Sequence, residues 1–167
     1  TKPAGNDKGA NVTVAVRLKP SSGTEPVTMR RGEQVFLRNP RSGEKKQFAF
    51  DHVFDAEGHE DIHAKLGTVV LSHAKSGYNS SVFAYGQTGS GKTHTMLGSL
   101  DSPGVMVNTL HDLYSRMNGF QEAKFKVTLS YMEIYNERIK DLLMPTSIDL
   151  QLNEDPVRGM VVQGITE

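Results

Sequence analysis

The sequence contains no cysteine, which excludes disulfide staples and thiolate metal centres together. It has no net charge either, with 19 basic and 19 acidic residues, so no overall field marks it as a nucleic-acid binder. No apolar run approaches a membrane span, and Thr1–Ala10 has neither the charge pattern nor the apolar region of a secretory signal. These absences point to a soluble intracellular protein with no nucleic-acid partner and no membrane span. Asn11-Val12-Thr13 and Asn79-Ser80-Ser81 match the glycosylation sequon, but both fall where buried strands are expected and read as chance.

What is present fits one ordinary domain: 167 residues, 37% of them apolar, enough to build a core. The charge balance is uneven along the chain. Residues 1–50 hold ten Lys/Arg against four Asp/Glu, the excess lying largely in Arg30, Arg31, Arg38, Arg41, Lys45 and Lys46. A solvated hairpin is the favoured reading, ahead of a dedicated patch for an acidic partner.

Thr1–Ala10, polar and carrying Pro3, Gly5 and Gly9, reads as a disordered lead-in to one domain over residues 11–167. Val12–Leu18 reads as a strand, ended by Pro20 and the Ser21-Ser22-Gly23 turn cluster. Short strands around Val27–Met29, Val35–Leu37 and Gln47–Phe50 suggest an antiparallel meander. Ile62, Leu66, Val69, Val70 and His73 recur at helical spacing, which predicts a helix over Glu60–Ser76, closed by Gly77. Ser81–Tyr85 is apolar without alternation, as in a central strand covered on both faces. Met106, Leu110, Leu113 and Met117 mark another helix, set off by Gly98–Gly104. Phe125–Tyr131 alternates as a half-buried strand, Glu137–Leu143 reads as a short helix stopped before Pro145, and Ile148–Leu152 with Met160–Ile165 read as a hairpin turning at Asn153–Gly159.

The chemistry lies in Gly86-Gln87-Thr88-Gly89-Ser90-Gly91-Lys92-Thr93, a full G-x-x-x-x-G-K-[ST] match. Glycines let the backbone turn its N–H groups inward around a polyphosphate, where a Cβ would obstruct it. The helix that follows adds a positive N-terminal end. Lys92 is placed to reach the β- and γ-phosphates, and the Thr93 hydroxyl to ligate Mg²⁺. A random chain this long would match on the order of once in a few hundred, so a plain glycine turn is the weaker reading.

His59-Glu60-Asp61-Ile62-His63 spells H-E-x-x-H, a zinc hydrolase pattern. His59 and Glu60 fall in the first helical turn after Gly58, where acidic residues help start a helix, and no third ligand follows at a recognised spacing. A solvated helix start is expected.

The residues around the loop carry a resemblance. Ser81-Val82-Phe83-Ala84-Tyr85-Gly86 through Thr93-His94-Thr95-Met96 resembles the phosphate loop of the kinesin superfamily with its flanks. Val14-Ala15-Val16-Arg17-Leu18-Lys19-Pro20 resembles that family's first strand and R-x-R-P adenine motif, and Phe48-Ala49-Phe50-Asp51-His52-Val53-Phe54 its F-x-F-D-x-V-F segment. Ser130-Tyr131-Met132-Glu133-Ile134-Tyr135-Asn136-Glu137 with Asp141-Leu142-Leu143 is similar to its S-Y-x-E-I-Y-N-E…D-L-L stretch. Asn153-Glu154-Asp155 and Gly159-Met160-Val161-Val162-Gln163-Gly164-Ile165 are similar to its E-D…G-x-x-V-x-G-L hairpin. The resemblance covers about residues 11–167.

It implies an α/β P-loop NTPase fold of the kinesin-motor type, a central mainly mixed sheet flanked by helices, here the amino-terminal half. It implies ATP or ADP with Mg²⁺ as cofactors: Arg17, Pro20 and His94 at the adenine, and Gln87, Thr88, Gly89, Ser90, Gly91, Lys92 and Thr93 around the phosphates and metal. Microtubules are the implied partner, beside the rest of the motor chain, with a cytoplasmic, cytoskeletal location on microtubules of a spindle or axoneme. Arg158 would face acidic tubulin from its hairpin, and reads equally as an ordinary solvated turn residue. Lys19 stands where the second arginine is expected, keeping the charge but losing the planar fork that stacks on a base. Val105–Asn108 also departs from the family's usual G-I-I-P-R run. Met96-Leu97-Gly98 with Pro103-Gly104-Val105-Met106 leans toward the kinesin class that walks to and shortens plus ends.

The family's switches, N-x-x-S-S-R-S-H and D-L-A-G-S-E, occur nowhere in the 167 residues. They supply the groups that sense the γ-phosphate and orient the attacking water, so no catalytic residue is expected in this chain. The intact motor is expected to be a microtubule-stimulated ATPase, this chain alone inactive, and oligomeric state a matter for regions outside it. The alternatives are a non-hydrolysing nucleotide-binding or interaction module and, less favoured, a zinc hydrolase using His59, Glu60 and His63.

Overall fold

A computed structural model of the chain describes residues 12–20, 27–55, 57–118, 125–145 and 148–167. The expected lead-in over 1–10, Asn11 of the first sequon and the Ser21-Ser22-Gly23 turn lie outside the described residues. The chain divides into two units, Thr1–Gly119 and Phe120–Glu167. Among the described residues no helix is long and apolar enough to cross a membrane.

In the first unit, β1 (Ala15–Arg17) pairs in parallel with β5 (His52–Phe54), Val16 opposite Val53. Flanking bonds from Leu18 N to Phe54 O and from Asp51 N to Val14 O carry the pairing over most of the predicted strand. Between them lies the expected meander, β2 (Thr28–Arg31), β3 (Gln34–Arg38) and β4 (Lys45–Ala49), antiparallel in that order. Its side chains are largely solvated. Arg31, Arg38, Arg41, Lys45 and Lys46 are exposed, Arg31 lies 5.4 Å over the Phe36 ring, and Arg30 pairs with Glu57.

The predicted helix over Glu60–Ser76 forms as one run of three pieces: α1 (His59–Ile62), a π-helical turn (His63–Gly67) and α2 (Thr68–Lys75). Asp61 Oδ2 accepts the Gly58 N–H at 3.2 Å, starting the helix. Gly77 closes it, its N–H on Ala74 O. The π turn coincides with a close approach. A Cβ on Gly67 would run into the His63 ring and into Thr109 Oγ1, which lies on the helix Val105–Asn118 (α4). Phe54, Ile62 and Val105 form the core, with Ala15 and Leu66 packed against it. Thus β5, α1 and α4 are joined by apolar side chains, at about 1.5–3 kcal/mol per large side chain buried.

Ser81–Tyr85 departs from expectation. It forms no strand, and Val82, Phe83 and Tyr85 are 45%, 84% and 98% exposed. No strand of the described residues ladders with it, so its apolar side chains have little to pack against. The same segment exposes Asn79, Ser80 and Ser81, which corrects the placement of that sequon in a buried strand.

In the second unit, two further expectations are overturned. Phe125–Tyr131 forms no strand, and Glu137–Leu143 is not a helix. The ladder instead begins at β6 (Met132–Tyr135), which pairs antiparallel with β7 (Arg138–Asp141). Asn136 and Glu137 form the two-residue turn at φ +48° and +62°. Such a turn matches the twist of a hairpin, and asparagine tolerates the left-handed region. The turn therefore directs the chain into a return strand where composition alone suggested a helix. The last hairpin forms with a tighter turn than expected: β8 (Gln151–Asp155) pairs with β9 (Gly159–Gln163), so Asn153–Asp155 lie in the ladder, and Asp155 Oδ1 accepts the N–H groups of Val157 and Arg158.

Asp141 is the buried anchor of this unit, 7% exposed. Hydrogen bonds from the Thr166 side chain and backbone, and from Met144 and Leu143 N–H, hold its carboxyl down at about 2. A carboxylate with a depressed folded pKa stabilises above its unfolded value and loses that contribution as pH falls toward the folded one. The unit is therefore expected to weaken as pH drops from about 4 to 2. In Asp141→Asn, the dependence in that window should largely vanish. Thermal melts of the full-length protein and of its Asp141→Asn variant across pH 2–6 measure it, and parallel pH profiles would contradict the assignment.

Candidate functional site

The loop from Gly86 leads directly into α3 (Lys92–Met96). Gly91, just before it, sits at φ +100°, a left-handed conformation that a side chain would strain. Lys92 Nζ folds back over the loop, donating to Gly86 O at 2.7 Å and Gln87 O at 3.0 Å. Ser90 N also donates to Gln87 O. The loop is thus closed on its own ammonium group. Thr93, exposed, has a hydroxyl with no partner among the described residues, and so stays available to a ligand.

The end of β1 reaches the same place. Lys19 Nζ donates to Gly89 O at 2.9 Å, and Arg17 Nη1 to Thr95 Oγ1 at 3.0 Å, Thr95 in turn donating to Gly91 O. Partial burial lowers the Arg17 pKa from its usual value, yet a guanidinium remains charged at neutral pH. Three cations from positions 17, 19 and 92 therefore surround one glycine loop. Pro20 follows Lys19 on the surface, and Thr88 is exposed at the loop tip. Arg17 and the loop, associated in the sequence by motif, are brought together in space. Lys19 stands out in the sequence only as a departure, whereas its ammonium is bonded to the loop.

Behind the loop, Gly98 to Pro103 close a small turn, with Ser99 N on Ser102 O and Gly104 N on Leu97 O. A Cβ at Gly104 would collide with the Met96 carbonyl, so glycine there allows α4 to begin against the end of α3. Ser102, placed by this turn, receives His59 Nδ1 at 3.0 Å through its carbonyl. His59 Nε2 lies 3.3 Å from His94 Nδ1, the rings 4.6 Å apart.

This corrects the reading of His59 as a solvated helix start: it is 3% exposed. Nothing local signals this, since its partners are 35 and 43 residues away in sequence. Nor do the two imidazoles of H-E-x-x-H converge. His59 faces His94 and Ser102, whereas His63 Nε2 faces Asp112 of α4 at 4.0 Å. Among the described residues no group of three His, Cys, Asp or Glu could hold a metal. Purified protein is expected to contain no stoichiometric zinc, checked by elemental analysis. His59→Ala should nonetheless destabilise by about 1–3 kcal/mol, because it empties the space of a buried ring and removes its bonds to Ser102 and His94. Measured in the full-length protein, that loss lowers the melting temperature. An unchanged melt would place His59 back in solvent.

In the second unit Arg158 lies in the β8–β9 turn with its side chain exposed and its backbone N–H on Asp155.

A glycine loop closed on a lysine, opening directly into a helix and flanked by the end of a parallel strand, defines the P-loop class of α/β fold. Residues 5–167 match the kinesin motor domain family. The chain is 40% identical to the kinesin-like protein KIF18B of Homo sapiens, aligned over 94% of the chain and 22% of that protein. It is 37% identical to KIN-8B of Arabidopsis thaliana, over 95% of the chain and 21% of the relative. Among solved structures, a KIF14 dimer in a two-heads-bound state with AMP-PNP, in complex with a microtubule, matches with a TM-score of 0.87 and 31% identity, over 94% of this chain and 49% of that one. This chain belongs to the kinesin motor domain family. It spans about a fifth of the length of these curated relatives.

Proposed function

We propose that this chain is the nucleotide-holding part of a microtubule motor that couples ATP hydrolysis to movement on, or remodelling of, microtubules. The observation that carries the reading is Lys92 Nζ poised over the Gly86–Gly91 loop, flanked by Lys19 and Arg17. An incoming triphosphate offers that ammonium charged oxygens in place of two neutral carbonyls, and charge-assisted bonds are roughly twice as strong as neutral ones. Gln87 to Gly91 would supply backbone N–H groups to the phosphates. Thr93 would hold Mg²⁺, a metal that keeps most of its waters and takes one or two protein oxygens. The free Thr93 hydroxyl fits that demand. Arg17, Pro20 and His94 would border the adenine.

Family membership supports the partner, as do related motors solved on microtubules with AMP-PNP or ADP. The reading places the protein on the microtubule cytoskeleton, at spindle or axoneme, with Arg158 offered to acidic tubulin. The likeness to KIF18B supports the lean toward the class that shortens plus ends. Hydrolysis belongs to the intact motor, whose switch residues would orient the water.

The test is ATP turnover by the full-length protein with and without microtubules, beside co-sedimentation in AMP-PNP and in ADP. Turnover should rise on adding microtubules, with tighter sedimentation in AMP-PNP. Nucleotide binding without any turnover would leave the non-hydrolysing module instead.

A further inference from the structure

Three facing groups fix where protons sit around the end of α3. His59 Nδ1 meets the Ser102 carbonyl at 3.0 Å, with Ser102 Oγ at 3.1 Å. A carbonyl only accepts, so His59 Nδ1 carries the hydrogen. His59 is buried and close to the Arg17 charge, and burial first, then that charge, push its pKa down against the raising effect of its bond to the Ser102 carbonyl. It is therefore neutral, and its Nε2 presents a lone pair. His94 Nδ1, 3.3 Å away, must then be the donor. In the neutral ring that leaves His94 Nε2 with a lone pair on the other edge, with no partner among the described residues. The tautomer of one ring is set by what its other nitrogen meets, here passed on through a second histidine.

We propose that His59 is a positioning residue for nucleotide binding, holding the His94 ring by a hydrogen bond in the Nδ1–H tautomer so that its outer Nε2 is an acceptor for an N–H or O–H donor of the bound nucleotide. Adenine, with its exocyclic amine, and ribose, with its hydroxyls, both offer such donors. The alternative tautomer would present an N–H there and meet those donors with like polarity. The link explains why the turn at Gly98–Gly104 is so closely packed: it places the Ser102 carbonyl from which the proton order starts. The affinity part of this inference rests on the reading of the loop as a nucleotide site with His94 beside the base or ribose. The tautomer part does not.

The experiment is nitrogen NMR of the intact motor labelled in histidine, comparing the parent with His59→Phe and His59→Gln, together with titration by fluorescent MgADP. Glutamine keeps an acceptor facing His94, and phenylalanine fills the space without one. His94 should be protonated on Nδ1 in the parent and in His59→Gln, and shift toward Nε2–H in His59→Phe. MgADP should bind His59→Phe roughly two- to tenfold more weakly than His59→Gln, the span of one neutral hydrogen bond. A parent His94 protonated on Nε2 would overturn the proposal, and that spectrum decides even if His59→Phe does not fold. A tautomer shift with unchanged MgADP affinity would overturn the positioning role. If the parent binds no MgADP at all, the nucleotide reading itself fails, whichever nitrogen of His94 carries the proton.

Discussion

Lys92→Ala is expected to abolish stabilisation of the intact motor by MgATP. In the parent that stabilisation is about 2.7 kcal/mol when ligand stands a hundredfold above its dissociation constant. Lys92 carries the only side-chain cation of the loop sequence Gly86–Thr93. Arg17 and Lys19 are already committed to Thr95 and to Gly89 O, so neither replaces it over Gly86 and Gln87. The substitution also frees those two carbonyls, which belong to a half-buried and an exposed residue respectively and so can turn to water. Melting without nucleotide should accordingly change little, because exposed polar groups lost from one bond regain another in solvent. Melting curves of parent and mutant, with and without MgATP, separate the two effects. Undiminished stabilisation in the mutant would show that the loop is not the phosphate site.

A polypeptide restricted to these 167 residues is expected to hydrolyse no ATP and to show no cooperative melting transition. The reason lies in Ser81–Tyr85, the segment that delivers the loop. Phe83 and Tyr85 are almost wholly in water, and Val82 nearly half so. The backbone there is open to water, so the penalty is unrealised burial, about 1.5–3 kcal/mol for each large side chain left exposed. Against a domain stability of about 5–15 kcal/mol, two or three such side chains are a large share. An extended apolar segment with open edges also invites association between copies. A segment without a paired neighbour is also expected to hold the Gly86 end of the loop less firmly. Size-exclusion profile, melting curve and phosphate release of the isolated polypeptide test it, with a longer chain carrying the two switches as the positive control. A monomer with a sharp transition and measurable turnover would sink the argument.

The local chemistry is legible in the amino-acid sequence itself. The Gly86–Thr93 loop is a run of eight residues whose glycines suit its own conformation. The meander and the last hairpin carry their turn residues in place, and Met106, Leu110, Leu113 and Met117 state the α4 face by spacing alone. Arg17 enters the site through resemblance, and the structure brings it to Thr95 beside the loop.

What tertiary structure decided is what depends on partners far away in sequence. His59 reads as a surface residue among acidic neighbours, and becomes a buried link only because the Gly98–Gly104 turn brings Ser102 to it and α3 brings His94. Glu137–Leu143 reads as a short helix from its sequence, yet Arg138–Asp141 becomes a strand because the two positive-φ residues that precede it turn it back onto Met132–Tyr135. Ser81–Tyr85 has the composition of a central strand in any context, but a strand exists only as half of a ladder. A segment's own side chains and torsions set what it can become, whereas pairing and burial belong to whichever segments arrive beside it.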